Sequence, residues 1–423
     1  MPSPDQTNLV THPTADWNAV GQVLFEYWPV LMLAFGASVI LTPLMRRLAI
    51  ANGIVDLPDA RRKAHAKPVA YLGGLSIFLG WLVGLCVFVA LLFTKESGWL
   101  ERVLGNNLTS ITFIALGATA IVITGLFDDV YGIRARVKIG GQLFAAAAIA
   151  QARAIDDLVQ RSLDILHIQA PEPIMQIIGT LMIAVLVVGC CNAMNLIDGL
   201  DGLSSGVTVI AMSGMLTICL IVLARYGQEE AILGQLGIPM LLAIATIGAT
   251  LGFLIYNFNP ASIFMGDTGS LLLGYLCVTT ILFIGRLDNN AGLAPLVFTG
   301  AVMCFSLPLT DTALAIIRRR LQGKPIFAPD AMHMHHMFRR SGLSVKQSVF
   351  AMYALGLIFA VSGVGLVALS VHWSISLAIF ASVVIAIITI GFLVSCRLQR
   401  SESAHPQPAE APGTPTATPP TLS

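Results

Sequence analysis

Four clusters of acids, amides and histidines interrupt an otherwise apolar chain. The first is Gly125-Leu126-Phe127-Asp128-Asp129, followed by Lys138 and Gln142. Two adjacent carboxylates at the end of a long apolar run demand a compensating partner. The second runs from Asn192 through Asn195, Asp198, Gly199, Asp201 and Gly202 to Leu203. Its polar residues recur every third position, so Asn192, Asn195 and Asp198 are expected on one helical stripe. Gly199 and Gly202 are expected to let the backbone approach a ligand closely. The third holds Asn257-Phe258-Asn259-Pro260 and then Phe264-Met265-Gly266-Asp267-Thr268-Gly269-Ser270. Asp267, among small residues at the start of a span, suits a metal and phosphate oxygens. Mg²⁺ takes one or two protein oxygens plus substrate phosphates, and Asn195, Asp267 and the carboxylate pair can supply them.

The fourth cluster, Pro329-Asp330-Ala331-Met332-His333-Met334-His335-His336, places three of the eight histidines within four positions of a basic loop. Zinc competes here with sugar or phosphate contact, and the latter is the favoured reading. A further basic stretch from Asp56 to Pro68 carries Arg61, Arg62, Lys63, His65 and Lys67 and leads to Gly73-Gly74. A membrane-loop charge bias explains its Arg and Lys, but not His65 or the glycine pair.

The elements that position these clusters are transmembrane helices. The 423 residues are 56% hydrophobic and 11% charged, against about 25% charged in a soluble domain. Apolar runs long enough for a ~30 Å hydrocarbon core give eleven expected spans. They are Val23–Leu44, Leu72–Phe93, Leu108–Phe127, Ile139–Gln151, Ile174–Asn192, Leu203–Leu223, Leu233–Tyr256, Ser270–Ile284, Leu293–Ile317, Ser348–Leu369 and Trp373–Val394. Backbone amides in lipid must bond within the segment or within a closed barrel. Runs this continuously apolar lack the alternation of a barrel, so the expected fold is an all-α polytopic bundle.

With the N-terminus outside, 18 of the 24 Lys and Arg fall on one set of loops. That bias sets the C-terminus in the cytoplasm and gathers all four clusters there. The expected domains are a polar N-terminal tail (1–22), a transmembrane catalytic domain (23–397) and a disordered Pro/Thr-rich tail (398–423). The polar segment from Arg153 to Pro173 falls outside the membrane and shows no chemistry. The cysteines read as free, buried thiols, and the net charge of +1 points to no nucleic-acid partner.

In this order, the motifs resemble those of the polyprenyl-phosphate N-acetylhexosamine-1-phosphate transferases, of glycosyltransferase family 4 type. That family includes the phospho-N-acetylmuramoyl-pentapeptide transferases. The resemblance runs from about Asp56 to His336 and is most specific at Asn192–Leu203 and Phe264–Ser270. It implies a reaction in which the phosphate of undecaprenyl (polyprenyl) phosphate attacks the sugar-linked phosphate of a UDP-sugar. UMP leaves and a polyprenyl-diphospho-sugar forms, the first step of cell-envelope polysaccharide synthesis at the bacterial inner membrane. The resemblance also implies Mg²⁺, with Mn²⁺ as a substitute, held by Asn195 and Asp267. Asp128, Asp129, Lys138 and Asp198 match catalytic positions, Lys138 being the lysine that binds substrate phosphate. Asp201, Asn257 and Phe264 match uridine-contacting positions. Asn192 joins the substrate-binding set, with His333, His335 and His336 at the sugar or its phosphate. Membrane lipids are implied partners, and a homodimer is open.

Where the peptidoglycan branch has three adjacent histidines and then Phe-Glu, this chain has His-Met-His-His-Met-Phe. That favours the branch using UDP-N-acetylglucosamine, with phospho-N-acetylmuramoyl-pentapeptide transfer as the alternative. Ile133 after the Asp pair and Ala70-Tyr71 before the glycines depart from the family pattern. General-base duty for an aspartate is a separate question. A phosphate monoester has its second pKa near ~6, so the lipid phosphate is already mostly dianionic, and a bare carboxylate repels it unless Mg²⁺ or Lys138 intervenes. An ion-coupled transporter or flippase is the rival of another class. It calls for charges at mid-span, whereas these motifs sit at span ends on one side.

Overall fold

The computed structural model describes residues 15–56, 68–94, 107–152, 171–227, 230–287, 293–325 and 332–404. The basic residues Arg61, Arg62, Lys63, His65 and Lys67 lie outside the described residues, as do Pro329, Asp330, residues 153–170 and residues 405–423.

The elements are α1 (Trp17–Ala51), β1 (Val55–Asp56), β2 (Val69–Ala70), α2 (Gly73–Thr94), α3 (Leu108–Tyr131), α4 (Ala135–Gln151), α5 (Glu172–Ile197) and α6 (Leu203–Tyr226). They continue with α7 (Glu230–Asn257), α8 (Gly266–Ile284), α9 (Leu293–Cys304), α10 (Ser306–Leu321), α11 (Met334–Arg340), α12 (Val345–Ala368) and α13 (Trp373–Ala404). Every expected span is helical, so the protein is an all-α polytopic bundle. Among the described residues, nine helices are long and apolar enough to cross a membrane. The fourth expected span is the 17-residue α4.

The ninth expected span differs from a straight helix: α9 and α10 meet at 69°. Phe305 leaves the helical conformation between them, and only the first half stays uniformly apolar. α10 carries Asp311 and three arginines in its last turn. The outer helices also run past the expected boundaries. α1 starts at Trp17, capped by the Asp16 carboxylate, which accepts from the Asn18 and Ala19 amides. α13 continues to Ala404.

α8 is the axis of the fold, with 94% of its span buried, while the membrane-crossing part of α13 lies wholly at the periphery. Helices α2, α3, α5, α6, α7 and α9 all pack on α8. Such close packing without a hydrophobic driving force between helices uses small residues at the crossings. The glycine pair left unexplained by charge does this work. A β-carbon on Gly74 would sit 2.1 Å from the Gly269 nitrogen. The Gly73 amide donates to the Phe264 carbonyl (3.0 Å) and the Gly74 amide to that of Met265 (2.9 Å). The start of α2 is thereby joined to the start of α8.

The β1–β2 ribbon closes the base of the basic loop, with Val55 paired to Ala70 and Asp56 to Val69. Ala70 also bridges to Ile263, and its carbonyl accepts the Phe264 amide at 2.8 Å. Thus the loop is rooted beside the Phe264–Ser270 motif. Substituting Gly74→Val should cost about 1–3 kcal/mol through overpacking. A thermal unfolding profile in detergent, compared with the wild type, checks this; an unchanged midpoint contradicts the crossing described.

Candidate active site

Asp128 and Asp129 end α3, and the chain then turns through Gly132, whose φ of 65° closes the helix with a bond from its amide to the Asp128 carbonyl. That short reversal brings Lys138, in the first turns of α4, back over the end of α3. The Lys138 ammonium lies 2.9 Å from Asp128 Oδ2 and also bonds Asp267 Oδ2. Asp267 Oδ1 accepts from Asn195 Nδ2 at 2.8 Å, and the same nitrogen lies 2.9 Å from Ser270 Oγ. One centre therefore joins α3, α4, α5 and α8 through Asp128, Lys138, Asn195 and Asp267.

The adjacent aspartates divide. Neighbours on a helix point about 100° apart, and Asp129 turns to the N-terminus of α8 instead of Lys138. Its Oδ1 accepts the Asp267 amide at 2.7 Å. Its Oδ2 accepts the Thr268 amide at 3.0 Å and the Thr268 hydroxyl at 2.6 Å. The first amides of a helix lack intrahelical partners and favour an anion, so Asp129 caps α8 from another helix. Gly266 makes this joint fit: its φ is +65°, and a β-carbon there would lie 2.4 Å from the Asp129 carboxylate.

The second motif leaves its helix before its last acid. Asn192 and Asn195 lie on α5, but α5 ends at Ile197 and Asp198 has φ −77° and ψ 54°, so the expected three-residue stripe stops at Asn195. Asn192 Nδ2 donates to Gln142 Oε1 at 3.0 Å and to the Val188 carbonyl at 2.7 Å. Burial pushes the Asp198 carboxyl well up, and the nearby Asp267, Asp129 and Asp201 add to the shift.

Asp201 and Asn257 fasten the α7–α8 connection to the start of α6. Asp201 Oδ2 accepts from Asn259 Nδ2 (2.8 Å) and the Ala261 amide (3.0 Å). Asn257, 4% exposed, accepts the Gly202 amide and the Ser205 hydroxyl and donates to the Ile263 carbonyl. In this way both residues set the position of Phe264, whose ring meets Tyr71 edge-on at 6.0 Å. Gly202, expected to face a ligand, has protein neighbours: its φ is +79° as it opens α6, and its carbonyl accepts the Tyr353 hydroxyl at 2.5 Å.

The histidines pack on this assembly. A β-carbon on Gly199 would lie 2.4 Å from His335 Nε2, so Gly199 admits a histidine ring where the sequence suggested a ligand. His335 stacks on His333 at 5.9 Å and lies 4.2 Å from His336. His333 Nδ1 is 2.8 Å from Asp311 Oδ2, a partner absent from the motif itself. The ring nitrogens thus do not converge as zinc ligands do, and among the described residues no three His, Cys, Asp or Glu side chains form a metal-holding group. Burial pushes His335 down to about 3; His336 and His333 act in the same direction and Asp311 against them.

Sequence reading named Asp128, Lys138, Asn195 and Asp267, which meet here, but missed Ser270, Thr268 and Asp311. Thr268 and Ser270 lie within the Phe264–Ser270 motif. The signal for Asp311 was an acid inside an apolar span.

Residues 111–285, from α3 to the end of α8, match the model of glycosyl transferase family 4. The chain is 37% identical over 331 residues, 77% of its length and 80% of the relative's, to the probable undecaprenyl-phosphate N-acetylglucosaminyl 1-phosphate transferase of Bacillus subtilis. It is 30% identical to the decaprenyl-phosphate N-acetylglucosaminephosphotransferase of Mycolicibacterium smegmatis, over 73% of this chain and 74% of the relative. It is also 31% identical to the phospho-N-acetylmuramoyl-pentapeptide-transferase of Corynebacterium urealyticum, over 79% of this chain and 94% of the relative.

Two outcomes follow from the geometry. Asp129→Ala removes an N-cap worth about 0.5–2 kcal/mol, so it should lower the unfolding temperature more than Asp128→Ala; the reverse order contradicts the division of the pair. The folded state keeps His335 neutral to about 3, below its ordinary 6.5. Between these values the unfolded chain binds more protons, so stability falls as pH falls. Thermal unfolding between pH 7 and 5 should show this loss, and His335→Asn should flatten it; an equal slope in the variant contradicts it.

Proposed function

Given that the chain belongs to glycosyl transferase family 4, we propose that it transfers N-acetylglucosamine-1-phosphate from UDP-N-acetylglucosamine to undecaprenyl phosphate, releasing UMP. The observation that carries this reading is the Lys138 ammonium held between Asp128 and Asp267 in a chain with relatives named for that transfer. Phosphoryl transfer needs positioning and charge neutralisation more than covalent help from the protein. The lipid phosphate, already dianionic, is its own nucleophile. Lys138 offsets the repulsion between that phosphate and the carboxylates, and the uridine end of the donor sits toward Phe264 and the turn fixed by Asp201 and Asn257. The 18-to-6 charge bias of the loops supports a cytoplasmic site, where UDP-sugars are available.

The residues present fit a divalent cation. Two carboxylates, Asp128 and Asp267, share the single Lys138 ammonium, so one cation faces two anionic groups. The donors are hard oxygens, as Mg²⁺ prefers. Asp267 and Asn195 would hold Mg²⁺, or Mn²⁺ in its place, with Asp128 beside them. Bound there, the ion would neutralise charge on the diphosphate as UMP leaves.

Purified protein with Mg²⁺, UDP-N-acetylglucosamine and undecaprenyl phosphate should release UMP and form a labelled lipid, and EDTA or Asp267→Ala should abolish turnover while the protein stays folded. Absence of product with every UDP-N-acetylhexosamine would overturn the reading. A donor panel including UDP-N-acetylmuramoyl-pentapeptide separates it from the reaction named for the Corynebacterium relative.

A further inference from the structure

Asp311 has no part in the reaction described above, yet it is an acid 1% exposed on α10, beyond the 69° bend. A buried carboxylate is expensive unless donors surround it. Both of its donors come from the histidine segment. His333 Nδ1 lies 2.8 Å from Oδ2, and the Met334 amide donates to Oδ1 at 2.7 Å. The first bond fixes one ring nitrogen of His333 as the donor and leaves Nε2 as the other face of the imidazole, the way a carboxylate sets the tautomer and orientation of a working histidine. The second bond pins the start of α11, which carries His335 against Gly199. A carboxylate needed only for packing is poorly placed here, because apolar replacements of buried ionic groups are often neutral or stabilising.

We propose that Asp311 is a positioning residue for phospho-sugar transfer, clamping His333 and Met334 so that His333 Nε2 is presented to the sugar-phosphate of the donor. This rests on the reaction proposed above. The clamp couples the bend between α9 and α10 to the histidine segment, since moving α10 moves the ring.

The test compares full-length wild type, Asp311→Asn, Asp311→Glu, His333→Asn and the Asp311/His333 double variants in one assay with UDP-N-acetylglucosamine and undecaprenyl phosphate. Asp311→Asn should lower kcat/KM about tenfold or more, the scale on which an orienting partner of a histidine acts. Asp311→Glu should recover part of that loss, and neither Asp311 change should add to the loss in the His333→Asn background. Wild-type kcat/KM in Asp311→Asn, or an equal loss in both backgrounds, overturns the proposal. Should Asp311→Asn not accumulate folded, Asp311→Glu with and without His333→Asn carries the same comparison, and additive losses overturn it. Hydrogen exchange at the Met334 amide reads the clamp apart from the chemistry. Faster exchange in Asp311→Asn supports it and unchanged exchange overturns it, even if the wild type were silent with every donor and the reaction itself had to be abandoned.

Discussion

A carboxylate on the end of one helix holds the first turn of another, and the site is assembled around that joint. Asp129 takes the Asp267 and Thr268 amides and the Thr268 hydroxyl at the start of α8, the most buried helix of the bundle. An uncapped helix start packed among neighbouring helices would leave its first backbone donors without partners. The same turn of α8 presents Asp267 to Lys138 and Asn195, and it receives the first amides of α2 through Phe264 and Met265. Losing the joint would therefore move Asp267, the Lys138 ammonium bonded to it and the root of the basic loop together.

Around that joint the problem is one of charge. Asp128 and Asp267 share the Lys138 ammonium, and Asp198 lies within reach of the charges on Asp267, Asp129 and Asp201. Carboxylates engaged by an ammonium or by helix amides are poor candidates for nucleophiles or general bases. They are well suited to holding cations against a substrate whose every reacting group is anionic. Proton abstraction from the lipid phosphate is also unnecessary near neutral pH. Chemistry of this kind places its demands on geometry, which explains why so many polar side chains here bond to protein and fix loops. Asp201, Asn257 and Asn192 all do so.

The helical bundle was legible because lipid admits so few backbone solutions, and ten of the eleven apolar runs each mark one helix, the ninth a bent pair. The meeting of Asp128, Lys138, Asn195 and Asp267 was legible from motif order and residue type. What was hidden depended on direction or on distant partners. Asp128 and Asp129 are the same residue type at adjacent positions, and only the path of α3 past α8 assigns one to Lys138 and the other to a cap. Gly199 looked like an opening for a ligand because its neighbour, the His335 ring, comes from far along the chain. The bend at Phe305 does have a mark, Pro308, which has no amide to bond the Cys304 carbonyl. The continuous apolar run hid it, so α9 and α10 read as a single span and Asp311 as a stray acid inside it. The glycine pair at 73 and 74 had no visible purpose until Gly269 was found against it.

Direct attack by the lipid phosphate, with the acids holding and positioning, is the central claim, and isotope exchange tests it most directly. Purified protein would be incubated with unlabelled UDP-N-acetylglucosamine and labelled UMP, with and without undecaprenyl phosphate. Label entering the UDP-sugar only when the lipid carrier is present is the predicted result. Exchange at a comparable rate without the carrier would mean that a protein side chain takes the phospho-sugar first, and would contradict it.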